Sequence, residues 1–458
     1  MKNTFLAVDF GGGSGRVMAG YIIDKKLCLE EIYRFKNRQI RLGKHLYWDF
    51  PALFEDMKDG IRKAAQRKDL NIQSIGIDTW GVDFGFVDKH GNLLSLPMCY
   101  RDEITKGLSE DFIKTHDVRK HYSQSGIQMM DINSIYQLIS MKREKSPILD
   151  IAENILFMPD LFSFFLTGKA NCEYTIASTS ELLDAKTRNW NKELISELGL
   201  RNDIFPEIVM PGSVRGTLTK DVAEDLGLTT DVKVVAVGSH DTQSASYTAS
   251  DYPSAFISSG TWSLLGVAID EPILNENART SGFSNEGGVG GKINLLQNIT
   301  GLWFLQRLIA QWEERGENVS YDRILPLAEQ SDIDTVLDVD DPIFTNPRDM
   351  DQTICDYCKV HKMQVPKTIG EKVKVVLQSL AHRYAKGIQD LNSLLQQPIK
   401  QINIIGGGSQ NKVLNRLTEL VTNLPVVAGP VEATAIGNIL VQAIACGEIK
   451  DKQEIIYK

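Results

Sequence analysis

Two hydrophobic periodicities interleave along this chain, one of period two and one close to 3.6. The opening apolar run "FLAVDF" breaks at three glycines and a serine, and "RVMAGYII" resumes directly afterwards, a pattern that predicts a β-hairpin around a tight small-residue turn. In "LFEDMKDGIRKAAQ" the apolar positions Leu53, Phe54, Met57 and Ile61 recur at helical spacing. A glycine-interrupted strand pattern comes next, in "IQSIGIDTWGVDFGFVD". Residues 105–230 read as mainly helical, and Pro206, Pro211, Gly212 and Gly216 punctuate their end before the buried-strand run "VKVVAVG".

The second half begins as the first does. "SAFISSGTWSLLGVAI", residues 254–269, is again strand, small-residue turn and strand. Helical patterns then occupy "GLWFLQRLIAQW" and "EKVKVVLQSLAHRYAKGIQDLNSLLQ", and "QINIIGGGSQNKVLNRLTELV" reads as strand, triple-glycine turn and helix. Two copies of one opening motif imply a duplicated α/β fold of two lobes with equivalent turns facing a cleft. A division at residues 245 and 246 separates the two halves.

Size agrees with this division, because 458 residues exceed what one ordinary core organises. Hydrophobic residues at 42% and charged residues at 24% place the chain among globular proteins. A net charge of -9 argues against nucleic acid as a partner, since a phosphate backbone calls for a basic face. No apolar run approaches the roughly 18 to 20 residues of a membrane-spanning helix. The N-terminus "MKNTFLAVDF" has no signal-peptide core, so a cytoplasmic location and no membrane partner are expected. Six scattered cysteines read as reduced thiols, and the "CDYC" pair has no second pair or histidine at zinc spacing.

The chemistry concentrates at the turns. No glycine loop closes on Lys-Ser or Lys-Thr as a P-loop does. A dinucleotide fingerprint fails as well: counted from Gly11, its sixth position is Arg16, and the run after it has a strand pattern where a helix is required. A third device fits, in which the bare backbone of Gly11, Gly12, Gly13 and Gly15, with the Ser14 hydroxyl and the Arg16 charge, closes on phosphate oxygens. Asp9 would repel a bare triphosphate, so its place before the turn favours a magnesium-bound nucleotide. A plain hairpin turn with a surface aspartate is the alternative. The triple glycine 406–408 reads either as a second ligand turn or as a simple strand-to-helix turn. At the end of "VKVVAVG" stand His240, Asp241 and Thr242, where Asp241 or His240 could accept a hydroxyl proton. A loop-capping aspartate beside a hydrogen-bonded histidine accounts equally well for that segment.

The stretches "AVDFGGGSGR", "GIDTWGVDFGFVD", "LPMCYRD", "GSHDTQSAS", "SSGTWSLLG", "NEGG", "QNITGLWFLQR", "GGGSQN" and "GPVEATAIGN" resemble, in order and spacing, those of FGGY-type carbohydrate kinases. Within that family they are most similar to the branch acting on L-rhamnulose. The resemblance spans nearly the whole chain. It implies two actin-like, ribonuclease H-like ATPase domains with the active site in the cleft between them: 1–245 for sugar and phosphate, 246–458 for nucleotide. The implied reaction moves the γ-phosphate of ATP to the 1-hydroxyl of the ketose, with magnesium. By the same resemblance Gly12, Gly13, Ser14, Gly15 and Arg16 bind ATP phosphates, Asp9 lies near magnesium, and Asp241 is the proton acceptor. Gly81, His240, Asp241, Thr242 and Asn298 meet the sugar, and Thr261, Gln306 and Gly407 belong to the nucleotide side. A fuculokinase or xylulokinase is the alternative within the family; a noncatalytic actin-like nucleotide switch is the alternative outside enzymes. Trp80, Trp262 and Trp303 read as core residues beside the cleft, with Trp80 the one placed to stack on a sugar.

Overall fold

A computed structural model describes residues 1–457, which pack as two units. The first comprises Met1–Thr248, Ile269–Leu295 and the chain from Ala433 onward; the second comprises Ala249–Ala268 and Leu296–Glu432. Packing therefore departs from the single division expected at 245 and 246. Of the two later segments that return to the first unit, the C-terminal one gives its sheet an apolar cover on the second face.

That sheet contains β1 (Lys2–Phe10), β2 (Ser14–Ile23), β3 (Lys26–Lys36), β4 (Leu70–Thr79), β5 (Val214–Thr217) and β6 (Lys233–Val235), in the order β5-β6-β4-β1-β2-β3. β1, β2 and β3 form an antiparallel meander, and β4 lies parallel to both β1 and β6. β1 reads as a continuous apolar run because both of its faces are covered. Leu6, Val8 and Phe10 join one core with Leu53, Met57 and Ile61 of the helix Phe50–Ala65. Phe5 and Ala7 join a second core with Ala435, Ile436, Ile439 and Leu440 of the helix Ala433–Ala445. The first of these helices is amphipathic. The second is apolar nearly all round, as a fully embedded helix must be.

Glycines set how closely that embedded helix approaches. A Cβ at Gly76 of β4 would stand 2.7 Å from Gln442 Nε2, and one at Gly437 would run into the backbone carbonyl of Ser244. A buried polar chain occupies the space so opened. Ser74 Oγ donates to Gln442 Oε1 at 2.7 Å, Gln442 Nε2 donates to Asn438 Oδ1 at 2.6 Å and to the Leu6 carbonyl at 3.0 Å, and Asn438 Nδ2 donates to Asp78 Oδ2 at 2.5 Å.

The second unit repeats the opening motif. β7 (Ser254–Ser259) and β8 (Trp262–Ile269) form an antiparallel hairpin, and β9 (Gln401–Ile405) and β10 (Val426–Ala428) extend it in parallel beyond β7. This is the relation that β1, β2 and β4 bear to one another. The long helix Ile369–Leu394 starts at a capping box of Thr368 and Glu371, and its Tyr384 hydroxyl lies 2.8 Å from Ser263 Oγ on β8. The "CDYC" pair lies on the helix Met350–Val360, and all six cysteines are free thiols. Among the described residues no helix is long and apolar enough to cross a membrane.

Replacing Gly437 with Ala separates propensity from packing. Ala favours an isolated helix by about 1 kcal/mol, but here its methyl group must displace the Ser244 backbone. Gly437→Ala is therefore expected to lower stability by about 1 to 3 kcal/mol, read as a fall in the urea midpoint with the slope unchanged.

Candidate active site

The β1–β2 turn is closed by Gly11 N–H donating to the Ser14 carbonyl at 3.0 Å, and the Asn37 side chain donates to the Gly11 carbonyl. Its glycines have different reasons for being glycine. Gly15 lies under the Phe35 ring with no room for a Cβ. Gly12 and Gly13 are exposed, neither has a positive φ, and a Cβ at Gly13 would meet nothing within 4 Å. Backbone conformation and packing leave these two unexplained, whereas close approach by a ligand explains them. Asp9 and Arg16 are register partners across the hairpin, and Arg16 Nη2 lies 2.5 Å from Asp9 Oδ2. The cation expected to face phosphate is thus engaged by the carboxylate expected to face the metal.

On the other side of β1, Asp9 pairs in register with Asp78 of β4. Asp78 is fully buried, and its Oδ1 has no hydrogen-bond partner. Burial, and after it the nearby charge of Asp9, pushes its carboxyl well above the ordinary aspartate range. One residue further on, Thr79 N–H donates to the Ser239 carbonyl at 2.9 Å and Thr79 bridges to His240, so the β4 end is tied to the His-Asp-Thr segment. Gly81 lies just beyond, where a Cβ would stand 3.3 Å from the side chain of Thr179, the residue whose hydroxyl accepts the Val82 N–H at 3.0 Å. Trp80 is a core residue: its ring lies 3.9 Å from that of Trp48, and both indole N–H groups donate to Asp83 Oδ2.

Asp241 opens the short helix Asp241–Ser246, and the preceding backbone is held by two buried groups. Ser239 N–H donates to Glu173 Oε2 and His240 N–H to Thr175 Oγ1, each at 3.2 Å. Burial raises the Glu173 carboxyl to about 7. His240 Nδ1 lies 2.9 Å from Glu286 Oε2, and its Nε2 lies 3.6 Å from Asp241 Oδ1. Gln243 Nε2 also donates to Glu286 Oε2, at 2.6 Å. Burial disfavours the charged ring, but Glu286, then Asp241 and Glu173, outweigh it and the His240 pKa lies above the usual value. Burial likewise raises Asp241, partly offset by His240 and reinforced by Asp9. Its side chain is 28% exposed, the most open of this group. Thr242 is buried and donates its N–H to Asp241 Oδ1 at 2.5 Å.

In the second unit Thr261 and Gln306 are exposed, and Thr261 Oγ1 donates to Gln306 Oε1 at 3.3 Å. Within the triple glycine, Gly406 takes a φ of 80° and Gly408 sits against Ser259, while Gly407 has open space where a Cβ would be. Asn298 is exposed on the strand Ile293–Thr300. Trp262 is 60% exposed at the start of β8, contrary to the core position expected for it, because it directly adjoins the open Gly260–Thr261 turn.

Sequence reasoning passed over Asp78, Glu286 and Glu173. Asp78 carried a legible signal, since "IDTWG" repeats the apolar-run-then-acid pattern of "VDFGG". Glu286 stands in the "NEGG" stretch but was given no role, and Glu173 carried no signal, being a single acid that only tertiary packing brings near His240.

Residues 4–247 match the N-terminal domain, and residues 255–446 the C-terminal domain, of the FGGY family of carbohydrate kinases. The chain belongs to this family. The rhamnulokinase of Bacteroides thetaiotaomicron is 43% identical over 454 residues, covering 98% of this chain and 92% of its own. That of Halalkalibacterium halodurans is 38% identical, covering 99% and 96%. Among solved structures, xylulose kinase from Rhodospirillum rubrum superposes with a TM-score of 0.82 at 14% identity, covering 98% of this chain and 91% of its own. Plasmodium falciparum glycerol kinase with ADP gives 0.81 at 15%, with the same coverage. The fold is therefore the two-domain α/β architecture of the FGGY kinases, consistent with the actin-like ATPase class. The protein is an ATP-using carbohydrate kinase.

Neutralising Glu286 in this FGGY kinase removes the main charge that favours the protonated ring. His240 in Glu286→Gln is expected to titrate at lower pH than in the wild type, monitored through its imidazole resonances by NMR.

Proposed function

We propose that this kinase transfers the γ-phosphoryl group of ATP to the 1-hydroxyl of L-rhamnulose, giving L-rhamnulose 1-phosphate and ADP. The observation that carries the chemistry is the placement of Asp9 with its glycine turn and of Asp241 at adjoining strand ends of one sheet, joined through Asp78–Thr79. The choice of sugar is supported by rhamnulokinases of 35% to 43% identity that align over nearly the whole chain.

In this reading the sugar 1-oxygen attacks the γ-phosphorus, the bond from that phosphorus to the β–γ bridging oxygen breaks, and the hydroxyl proton passes to Asp241. Phosphoryl transfer asks for position and charge more than for covalent help. The raised pKa of Asp241 makes its carboxylate a better proton acceptor than an ordinary aspartate, and the charge of His240 beside it offsets part of that rise. Gly81, His240, Thr242 and Asn298 would orient the sugar. Gly12, Gly13, Ser14 and Gly15 would receive the phosphates, and Thr261, Gln306 and Gly407 the rest of the nucleotide. In this division 1–245 serves sugar and phosphate, 246–458 the nucleotide, and the enzyme works in the cytoplasm.

No group of three or more His, Cys, Asp or Glu among the described residues is placed to hold a metal ion. Magnesium needs only one or two carboxylates, because water and substrate phosphates complete its octahedron. Asp9 and the unpartnered, buried Asp78 Oδ1 are hard oxygen donors of that kind, so the residues fit the ion. Bound there with ATP, it would neutralise charge on the phosphates.

ADP release measured over a panel of L-rhamnulose, L-fuculose and D-xylulose is expected to favour L-rhamnulose. A preference for another ketose would refute the sugar assignment. Asp241→Asn is expected to lower turnover about 100- to 10,000-fold with ATP affinity retained, and kcat/KM of the wild type should rise with pH through the raised Asp241 pKa.

A further inference from the structure

Arg16 is committed to Asp9, yet another guanidinium faces the glycine turn. Arg101 Nη2 lies 3.7 Å from the point that a Cβ would occupy at Gly12. Arg101 is exposed and takes part in no ion pair among the described residues; its guanidinium lies 5.1 Å from the Tyr100 ring centroid. The backbone that carries it is fixed on both sides. Tyr100 N–H donates to Asp83 Oδ2 at 3.2 Å, and Asp83 is fully buried and also accepts from Trp48, Trp80 and Gln137. Asp102 N–H donates to the Cys99 carbonyl at 2.8 Å, while the Asp102 carboxylate accepts the N–H groups of Leu46 at 2.6 Å and Ile104 at 3.0 Å. A surface arginine on a mobile loop needs no explanation. One held on so rigid a base, without a carboxylate partner, and facing Gly12 in a turn whose open Gly12 and Gly13 packing does not explain, points to an anion at that spot.

We propose that Arg101 is a ligand of the phosphoryl group undergoing transfer, contacting it as the γ-phosphate of bound ATP above Gly12 and Gly13. The inference rests on the kinase reading above. A planar guanidinium presents two parallel N–H donors to phosphate oxygens, a geometry that Lys does not reproduce. Its charge acts where negative charge is carried in the transition state.

The same phosphoryl chemistry occurs on ATP before transfer and on the sugar 1-phosphate afterwards, so calorimetry on wild type and Arg101→Gln uses three ligands with magnesium: ADP, a non-hydrolysable ATP analogue and L-rhamnulose 1-phosphate. Arg101→Gln is expected to bind the analogue about 10- to 100-fold more weakly with ADP affinity unchanged, and kcat should fall at saturating ketose. Arg101→Lys should recover only part of the loss, and added guanidinium ion should restore turnover to Arg101→Ala. Equal weakening of ADP and analogue, no weakening of the analogue, or weakening confined to the sugar phosphate would each overturn the assignment. An unchanged urea midpoint excludes misfolding as the cause. If the wild type phosphorylates no ketose, the kinase reading fails; if it does and Arg101→Gln matches it, only the role of Arg101 fails.

Discussion

The site depends on a contact that contains no side chain: Gly437 of the embedded C-terminal helix lies directly against the Ser244 carbonyl in the helix that begins with Asp241. That approach brings Asn438 under the end of β4, where its amide holds Asp78, and brings Gln442 beneath Leu6 and Ser74. A larger spacing would break this polar chain and strand buried groups without partners, at a cost of about 1 to 3 kcal/mol for each. The position of Asp241 relative to the glycine turn is thus set from below, by packing, and refined from above by Glu173, Thr175 and Glu286.

Charge is the second constraint. Asp9, Asp78 and Asp241 gather at one end of a sheet, where Asp9 and Asp241 make Asp78 harder to ionise and Asp9 does the same to Asp241. Arg16 and His240 answer part of that charge. Carboxylates so arranged would repel a bare polyphosphate, so the proposed reaction calls for one that arrives with its own cation. The acids also fall into two tiers. Buried Glu173 and Glu286 organise backbone and imidazole, and Asp241 is the more open carboxylate.

Much of this was legible in the chain. Both hairpins could be read from apolar runs split by small residues, and the placement of His240, Asp241 and Thr242 after a buried strand from the run that precedes them. The Asp9–Arg16 pair is a consequence of the hairpin itself, since Phe10 opposite Gly15 puts residue 9 opposite residue 16. Other features could not be read locally. The pattern of the Ala433–Ala445 helix says that it is buried on all sides and nothing about which sheet buries it, so a single division of the chain missed its return. Trp262 was assigned to the core by residue type alone, although it adjoins an open turn.

The return of that helix also orders events during synthesis. The Leu6 carbonyl waits for Gln442, 436 residues later, so at ordinary elongation rates the underside of β1 stays uncovered for roughly 20 to 90 s. The first strand to leave the ribosome is therefore among the last to be finished. Until then Phe5 and Ala7 offer the nascent chain a sticky apolar face, and a product released before its last helix would be both inactive and a client for chaperones.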